Sequence, residues 1–214
     1  MPAGLGPSAR RMIAVVPAVR WTGADETPST AQLRRAMTED VVEVVSGLDV
    51  VEPVLALGPD DPPEWAELVW PGTPVRTISG GSSAVLTDLH HQGASLGAVI
   101  AGDAPDLPGL LVGKLFRALS SATVAVCPAD DGTLVALAAA LPVPGWLAES
   151  GVGLDSAGAV DALTAAAPGP RELSVGPGWR RVRRPGDLAR LDPGLEGWEQ
   201  TRQLLRQSGV TGDP

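Results

Sequence analysis

Short continuous apolar runs alternate with longer stretches of three- and four-residue periodicity through the first 127 residues. MIAVV (Met12–Val16), ended by Pro17, has the pattern of a strand buried on both faces. Thr27-Pro28 then supplies an N-cap with proline at the first helical position, and Leu33, Met37, Val41, Val44 and Leu48 mark one face of a helix ending near Gly47. VEPVLALG (Val51–Gly58) and TPVRTI (Thr73–Ile78) read as the next two strands, with Pro59–Pro63 as a loop between them. Gly80-Gly81-Ser82-Ser83 opens a helix to about His91, LGAVIAG is a fourth strand, Leu107–Leu119 a helix and Ala122–Cys127 a fifth strand. Such alternation predicts an α/β layered fold with a mostly parallel mixed sheet between helices.

Beyond Cys127 the pattern loosens. Thr133–Leu141 reads as a strand packed by Val135 and Leu137, and Ser156–Ala167 as a helix. Arg171–Val175 and Gly178–Arg183 read as short strands, and Pro185–Leu191 and Leu195–Gln207 as closing helices. Residues 1–10 carry Gly, Pro and Ser without periodicity, the composition of a disordered tail, so one domain is expected over 11–214.

Charge narrows the partners. With 16 basic and 25 acidic residues the net charge is −9, which argues against a general grip on nucleic acid or an anionic membrane, so an anionic ligand must be held locally. Cys127 is the one cysteine, which excludes an internal disulfide and a multi-cysteine zinc site and suits the reducing cytoplasm. The longest early apolar run, Met12–Val16, is too short for a signal-peptide core or a membrane span. His90 and His91 are adjacent, about 100° apart on a helix, and so ill placed to share a metal.

Candidate chemistry collects at strand ends, where open α/β sheets bind ligands. Asp103 directly follows the fourth strand, Gly102 permits a close backbone approach, and Asp106 lies one turn on in Gly102-Asp103-Ala104-Pro105-Asp106-Leu107. Two carboxylates so spaced can supply oxygens to a hard cation such as Mg²⁺ or Mn²⁺, which in turn bridges phosphates. The same spacing also serves a plain acidic turn capping the helix near Pro108. A second acidic turn, Pro128-Ala129-Asp130-Asp131-Gly132, follows the fifth strand and is expected at the same edge. Ser79–Ser83 can cradle a phosphate on the positive end of a helix through Gly80, Gly81 and Ser82, or simply cap it.

These segments together, the strand with GDAPDLP, the strand with CPADDGTLVALA and the later RVRRPGDLARL, resemble an uncharacterised family of GT-A-type nucleotide-diphospho-sugar transferases. That family is similar to the phospholactate guanylyltransferases and the molybdenum-cofactor nucleotidyltransferases. The resemblance spans roughly Met12 to Leu191. It implies a single GT-A-like domain, a nucleotide or nucleotide-sugar donor under the loop after the first strand, and a divalent cation near Asp103. On this chain Asp103, Asp130 and Asp131 are expected in catalysis, Asp103 and Asp106 on the metal, and Arg20, Gly23, Gly80, Gly81, Ser82, Arg181 and Arg183 at nucleotide and phosphate.

The chain departs from that family in three places. Its loop after the first strand, PAVRWTGADETPST, offers Arg20 as the one cation and sets Asp25-Glu26 where lysine or arginine is expected. Arginine stands at both acidic positions of the family's D-x-D-x-P-x-D-L segment, here Arg181-Val182-Arg183-Arg184-Pro185-Gly186-Asp187-Leu188. The strand after the second acidic turn, TLVALAAALP, holds no ligand-gripping side chain. Two functions follow: a nucleotide-dependent glycosyl- or nucleotidyltransferase, with arginines neutralising a diphosphate, or a catalytically degenerate relative that binds or scaffolds without turnover.

Overall fold

The computed structural model describes residues 9–19, 21 and 28–207. Its seven strands are β1 (Arg11–Val16), β2 (Glu52–Leu57), β3 (Val75–Thr77), β4 (Leu96–Ala101), β5 (Val124–Pro128), β6 (Leu134–Ala140) and β7 (Leu173–Val175). They form one sheet in the order β3-β2-β1-β4-β6-β5-β7. All neighbouring strands are parallel except along β6, which runs antiparallel between β4 and β5. The six α-helices are α1 (Pro28–Ser46), α2 (Ser82–His91), α3 (Gly109–Ala118), α4 (Gly145–Ser150), α5 (Ala159–Ala166) and α6 (Glu199–Gln207).

Why β1, β4 and β6 lie at the centre is plain from their side chains. They carry Met, Ile, Val, Leu and Ala on both faces and are almost fully buried, as expected where helices cover each side. On one face Ile13, Val15, Ile100 and Cys127 pack with Val41 and Val45 of α1 and Val112, Leu115 and Phe116 of α3. On the other, Met12, Ala14, Val99, Val126 and Leu137 meet Leu86 and Leu89 of α2, Leu147 of α4 and Leu163 of α5.

A third, smaller cluster joins Ala18, Trp21, Leu33 and Met37 to Val182, Leu191, Trp198 and Leu205. It fastens the chain after β1 and the C-terminal segment to the same end of the molecule. Trp21 is a core residue whose Nε1 donates to the Val182 carbonyl at 3.3 Å.

Helix α6 is seated by a carboxylate from α1. Buried Asp40 accepts the backbone N–H groups of Gln200 and Thr201, both at 2.9 Å, and so satisfies orphan donors of the first turn of α6. Burial pushes the Asp40 carboxyl up to about 7, against the opposing pull of those bonds. A folded-state pKa above the unfolded value means that the native state takes up a proton, so this contribution is present in mild acid and is lost as pH rises toward 7. Relative to Asp40→Asn, the wild type should therefore gain stability on acidification from about pH 7.5 to about pH 5, read as a rising difference in urea midpoint.

Element positions differ from the sequence expectation mainly after β5. Gly178–Arg183 is not a strand: it runs alongside the sheet edge with a single bridge from Trp179 to Ala129. Pro185–Arg190 is a 3-10 turn, as is Pro63–Leu68, which begins where the Pro59–Pro63 loop ends. The short helix α4 has no counterpart in the sequence reading, because Gly145–Ser150 is bracketed by Pro144 and Gly151 and shows too few turns for a period to emerge. Arg10, assigned to the tail, pairs with Glu52 through both carboxylate oxygens at 2.8 and 2.6 Å.

Candidate functional site

The strand order reverses between β1 and β4, the point in an open α/β sheet beyond which ligands bind. The junction is drawn tight by Gly102. Its N–H donates to the Val16 carbonyl at 2.7 Å, and a Cβ at this position would lie 2.8 to 2.9 Å from Val16 O, Ala18 N and Thr38 Oγ1. The close approach expected at Gly102 is thus made by the chain leaving β1.

Asp103 follows at once and has no solvent exposure. Arg181 grips it side-on, with Nε 2.6 Å from Oδ1 and Nη2 2.9 Å from Oδ2. The remaining N–H groups of Arg181 reach the carbonyls of Leu134 (3.0 Å) and Leu154 (3.1 Å) and Oδ1 of Asp155 (2.8 Å). All five guanidinium donors therefore have acceptors. Burial works against the charge of Arg181, yet Asp103 and Asp155 together raise its pKa above the ordinary value. Burial likewise draws the Asp103 carboxyl upward while Arg181 pulls it back. The side-on fork, with one N–H on each oxygen, has the geometry of a charge-assisted pair.

Asp106 has the same fate. It accepts Trp179 Nε1 at 3.0 Å, Arg180 Nε and Nη2 at 2.8 and 2.6 Å, and the Asp192 N–H at 3.2 Å. The acidic turn is a socket for the segment that follows β7. Backbone bonds run beside it, from Val182 N to Asp103 O (2.7 Å), Trp179 N to Pro128 O (2.9 Å) and Gly176 N to Val126 O (2.8 Å). This placement is at odds with the expectation that Asp103 and Asp106 ligate Mg²⁺ or Mn²⁺, since Arg181 holds both oxygens of Asp103 and Trp179, Arg180 and the Asp192 N–H hold those of Asp106. It is likewise at odds with the phosphate role given to Arg181, which keeps no donor for a ligand. Among the described residues no group of three His, Cys, Asp or Glu could hold a metal ion.

The second acidic turn does share this edge, although β6 separates β5 from β4. Asp131 accepts the N–H and hydroxyl of Thr133 at 3.0 and 2.6 Å, bonds that lower its pKa although burial opposes them. Asp130 pairs with Arg190. A cavity of about 550 Å³ lies between this turn and Arg183, Arg184, Asp187 and Arg190. Each of those arginines has one carboxylate partner: Asp155 for Arg183 (2.6 Å), Asp187 for Arg184 (3.2 Å) and Asp130 for Arg190.

A neighbouring cavity of about 420 Å³ sits over the ends of β1 and β2 and the start of α2. Val16, Leu57, Ile78 and Leu154 give it an apolar floor, and Gly80, Gly81 and Ser82 form one wall. No side chain caps α2, and Gly80 at φ +119° takes a turn that L side chains resist. The Ser82 hydroxyl accepts the Leu154 N–H at 3.2 Å, tying this wall to the 151–156 loop. Asp155 lines this second cavity while bonding Arg181 and Arg183 of the first, so it stands on the partition between them. Sequence reasoning missed Asp155, and its one local signal is a lone acid within the glycine-rich run GVGLDSAG.

Arg20 and Gly23, expected at the nucleotide, lie outside the described residues. Cys127 is buried, its thiol donates to Pro177 O at 3.1 Å, and burial pushes its pKa up to about 11, which removes it as a nucleophile. No described helix is long and apolar enough to cross a membrane.

The architecture is a single α/β domain with a mostly parallel, seven-stranded mixed sheet between helices, matching nucleotide-diphospho-sugar transferase folds. A structure described as a nucleotide-diphospho-sugar transferase from Desulfovibrio desulfuricans G20 superposes with a TM-score of 0.64 at 16% identity, over 92% of this chain and 97% of that one. CMP:2-keto-3-deoxy-manno-octonic acid synthetase complexed with CTP gives 0.54 at 13% identity, over 93% and 99%. Rv0371C of Mycobacterium tuberculosis H37Rv in complex with manganese gives 0.53 at 19% identity, over 92% and 98%. No family model matches the chain, and no curated protein matches it.

Proposed function

We propose that the protein binds a nucleotide or nucleotide sugar across the two cavities and acts as a nucleotide-dependent transferase. The base and ribose lie over the apolar floor at Val16, Leu57 and Ile78, beside Gly80, Gly81 and Ser82. The phosphates reach past Asp155 to Arg183, Arg184 and Arg190, and the acceptor enters beside Asp130 and Asp131. One observation carries this reading: an apolar, glycine-walled cavity and an arginine-lined one lie at the strand-end edge of the sheet with Asp155 between them. Kinship with the guanylyltransferases, and a role for Arg20 and Gly23 over the base, belong to the same proposal.

Calorimetric titration with a panel of nucleoside triphosphates and nucleotide sugars tests it. A saturable ligand is expected, and Arg183→Ala should weaken it about tenfold or more, the worth of a charge-assisted hydrogen bond. Silence from every member of the panel contradicts the proposal.

A second reading, binding without turnover, is favoured by the pairing of Asp103 and Asp106 with arginines, which leaves no carboxylate of the first acidic turn free for chemistry. Phosphorus NMR of the bound nucleotide sugar with mixed sugar and alcohol acceptors separates the two: product signals favour the transferase, and an unchanged donor favours the binder.

A further inference from the structure

We propose that the guanidinium of Arg181 is a built-in cation, standing on Asp103 in place of a divalent metal, so that the cleft takes its phosphate-bearing ligand without one. The proposal rests on the binding function above and names how that site handles charge.

The fit test comes first. A hard divalent ion needs several oxygens at about 2.0–2.6 Å with open lone pairs. At Asp103 each oxygen faces an arginine N–H in a side-on fork, and the two side chains are 0% and 2% exposed, so the guanidinium fills the space that an ion and its waters would need. Asp106, the nearest alternative ligand in sequence, spends its oxygens on Trp179, Arg180 and the Asp192 N–H. The residues present do not fit a metal.

They do fit an internal counter-charge. Arg181 offsets the charge of Asp103 at the floor of the edge cavity and is itself held by the carbonyls of Leu134 and Leu154, so it cannot swing away without stranding the buried carboxylate of Asp103. Its neighbour Arg183 is aimed by the same carboxylate, since Asp155 Oδ1 lies 2.8 Å from Arg181 Nη2 and 2.6 Å from Arg183 Nη1. Asp155 is half exposed, unlike Asp103. An incoming diphosphate can therefore take over Arg183 from Asp155, an exchange between exposed ion pairs that costs little, while Arg181 stays fixed beneath. Arg184 and Arg190, also solvent-accessible and each held by one carboxylate, complete an anion-facing wall. Charge that a mobile ion would bring is thus supplied by side chains that fold in place.

The test uses the whole chain. Free Mn²⁺ is followed by its electron paramagnetic resonance signal as protein is added, and CTP and UDP-glucose are titrated calorimetrically with EDTA or with millimolar Mn²⁺. The wild type is expected to leave the Mn²⁺ signal undiminished and to bind the same ligand equally well, or more weakly, when Mn²⁺ is present. Uptake of one equivalent of Mn²⁺, or an affinity that rises about tenfold on adding it, overturns the proposal. Failure of both ligands in both buffers removes the proposed function, while the Mn²⁺ uptake still decides this inference on its own. In Arg181→Ala the space beside Asp103 is vacated, and Mn²⁺ should raise that variant's melting temperature or, where it does not fold in EDTA, its folded fraction. A variant indifferent to Mn²⁺ overturns the claim that the guanidinium stands in for the ion.

Discussion

Arg181→Ala should cost about 3–5 kcal/mol of stability, the penalty for stranding one member of a buried ion pair. The magnitude follows from what is left behind. Asp103 loses the partner that offsets its burial, and the Leu134 carbonyl loses the Arg181 donor. Surface pairs of the same chemistry are worth about 0–1 kcal/mol, so Arg10→Ala, which breaks an exposed bridge to Glu52, serves as the internal control. Urea unfolding of the two variants should separate them clearly. The double variant Asp103→Leu with Arg181→Met should recover much of the loss, because removing both charges also removes their desolvation cost. Equal, small effects of Arg181→Ala and Arg10→Ala would mean that the pair is not buried in solution.

The second large effect is expected at Gly102→Ala. An added methyl would meet two backbone atoms and the Thr38 hydroxyl at 2.8 to 2.9 Å, and backbone cannot step aside as the tip of a flexible side chain can. Overpacking of this kind costs about 1–3 kcal/mol or more. Here it also displaces the end of β1, where Val16 lines the apolar cavity. Ligand affinity should therefore fall along with stability, whereas Gly113→Ala, in open space on α3, should leave both unchanged or slightly improved. Circular dichroism with denaturant and calorimetry on the same preparations check the pair of substitutions. A Gly102→Ala protein as stable as the wild type would show that this junction has room to relax.

Much of the architecture was legible because burial imposes period on sequence. The continuous apolar runs at β1, β4 and β5 and the stripe on α1 carry the layer order directly, since each must hide its apolar face against a neighbour. The antiparallel insertion of β6 was not legible. Leu134–Ala140 reads as a buried strand in either direction, and only the short turn at Asp130–Gly132 hints that β5 and β6 form a hairpin. Gly178–Arg183 alternates like a strand, yet its arginines point to fixed carboxylates and its backbone makes one bridge, so polar anchoring rather than a ladder straightens it.

The candidate site was half legible for a related reason. Carboxylates at strand ends and a glycine-rich helix start are local signals; Asp130 and Asp131 line one cavity, and Gly80, Gly81 and Ser82 line the other. What those carboxylates touch is not local. Asp103 and Arg181 are 78 residues apart, and complementary charges at that separation leave no pattern in the chain. Arginine in place of two expected acids was the visible trace of the pairing, and its meaning depended on the geometry of both oxygens. Asp155, on the partition between the cavities, announced itself by neither period nor motif.

A crystal of the wild-type protein equilibrated with manganese, and measured at the manganese absorption edge, puts the central claim to the most direct test. The account predicts guanidinium density seated across both oxygens of Asp103 and no anomalous peak against that carboxylate. A peak on Asp103 with Arg181 turned away would contradict it.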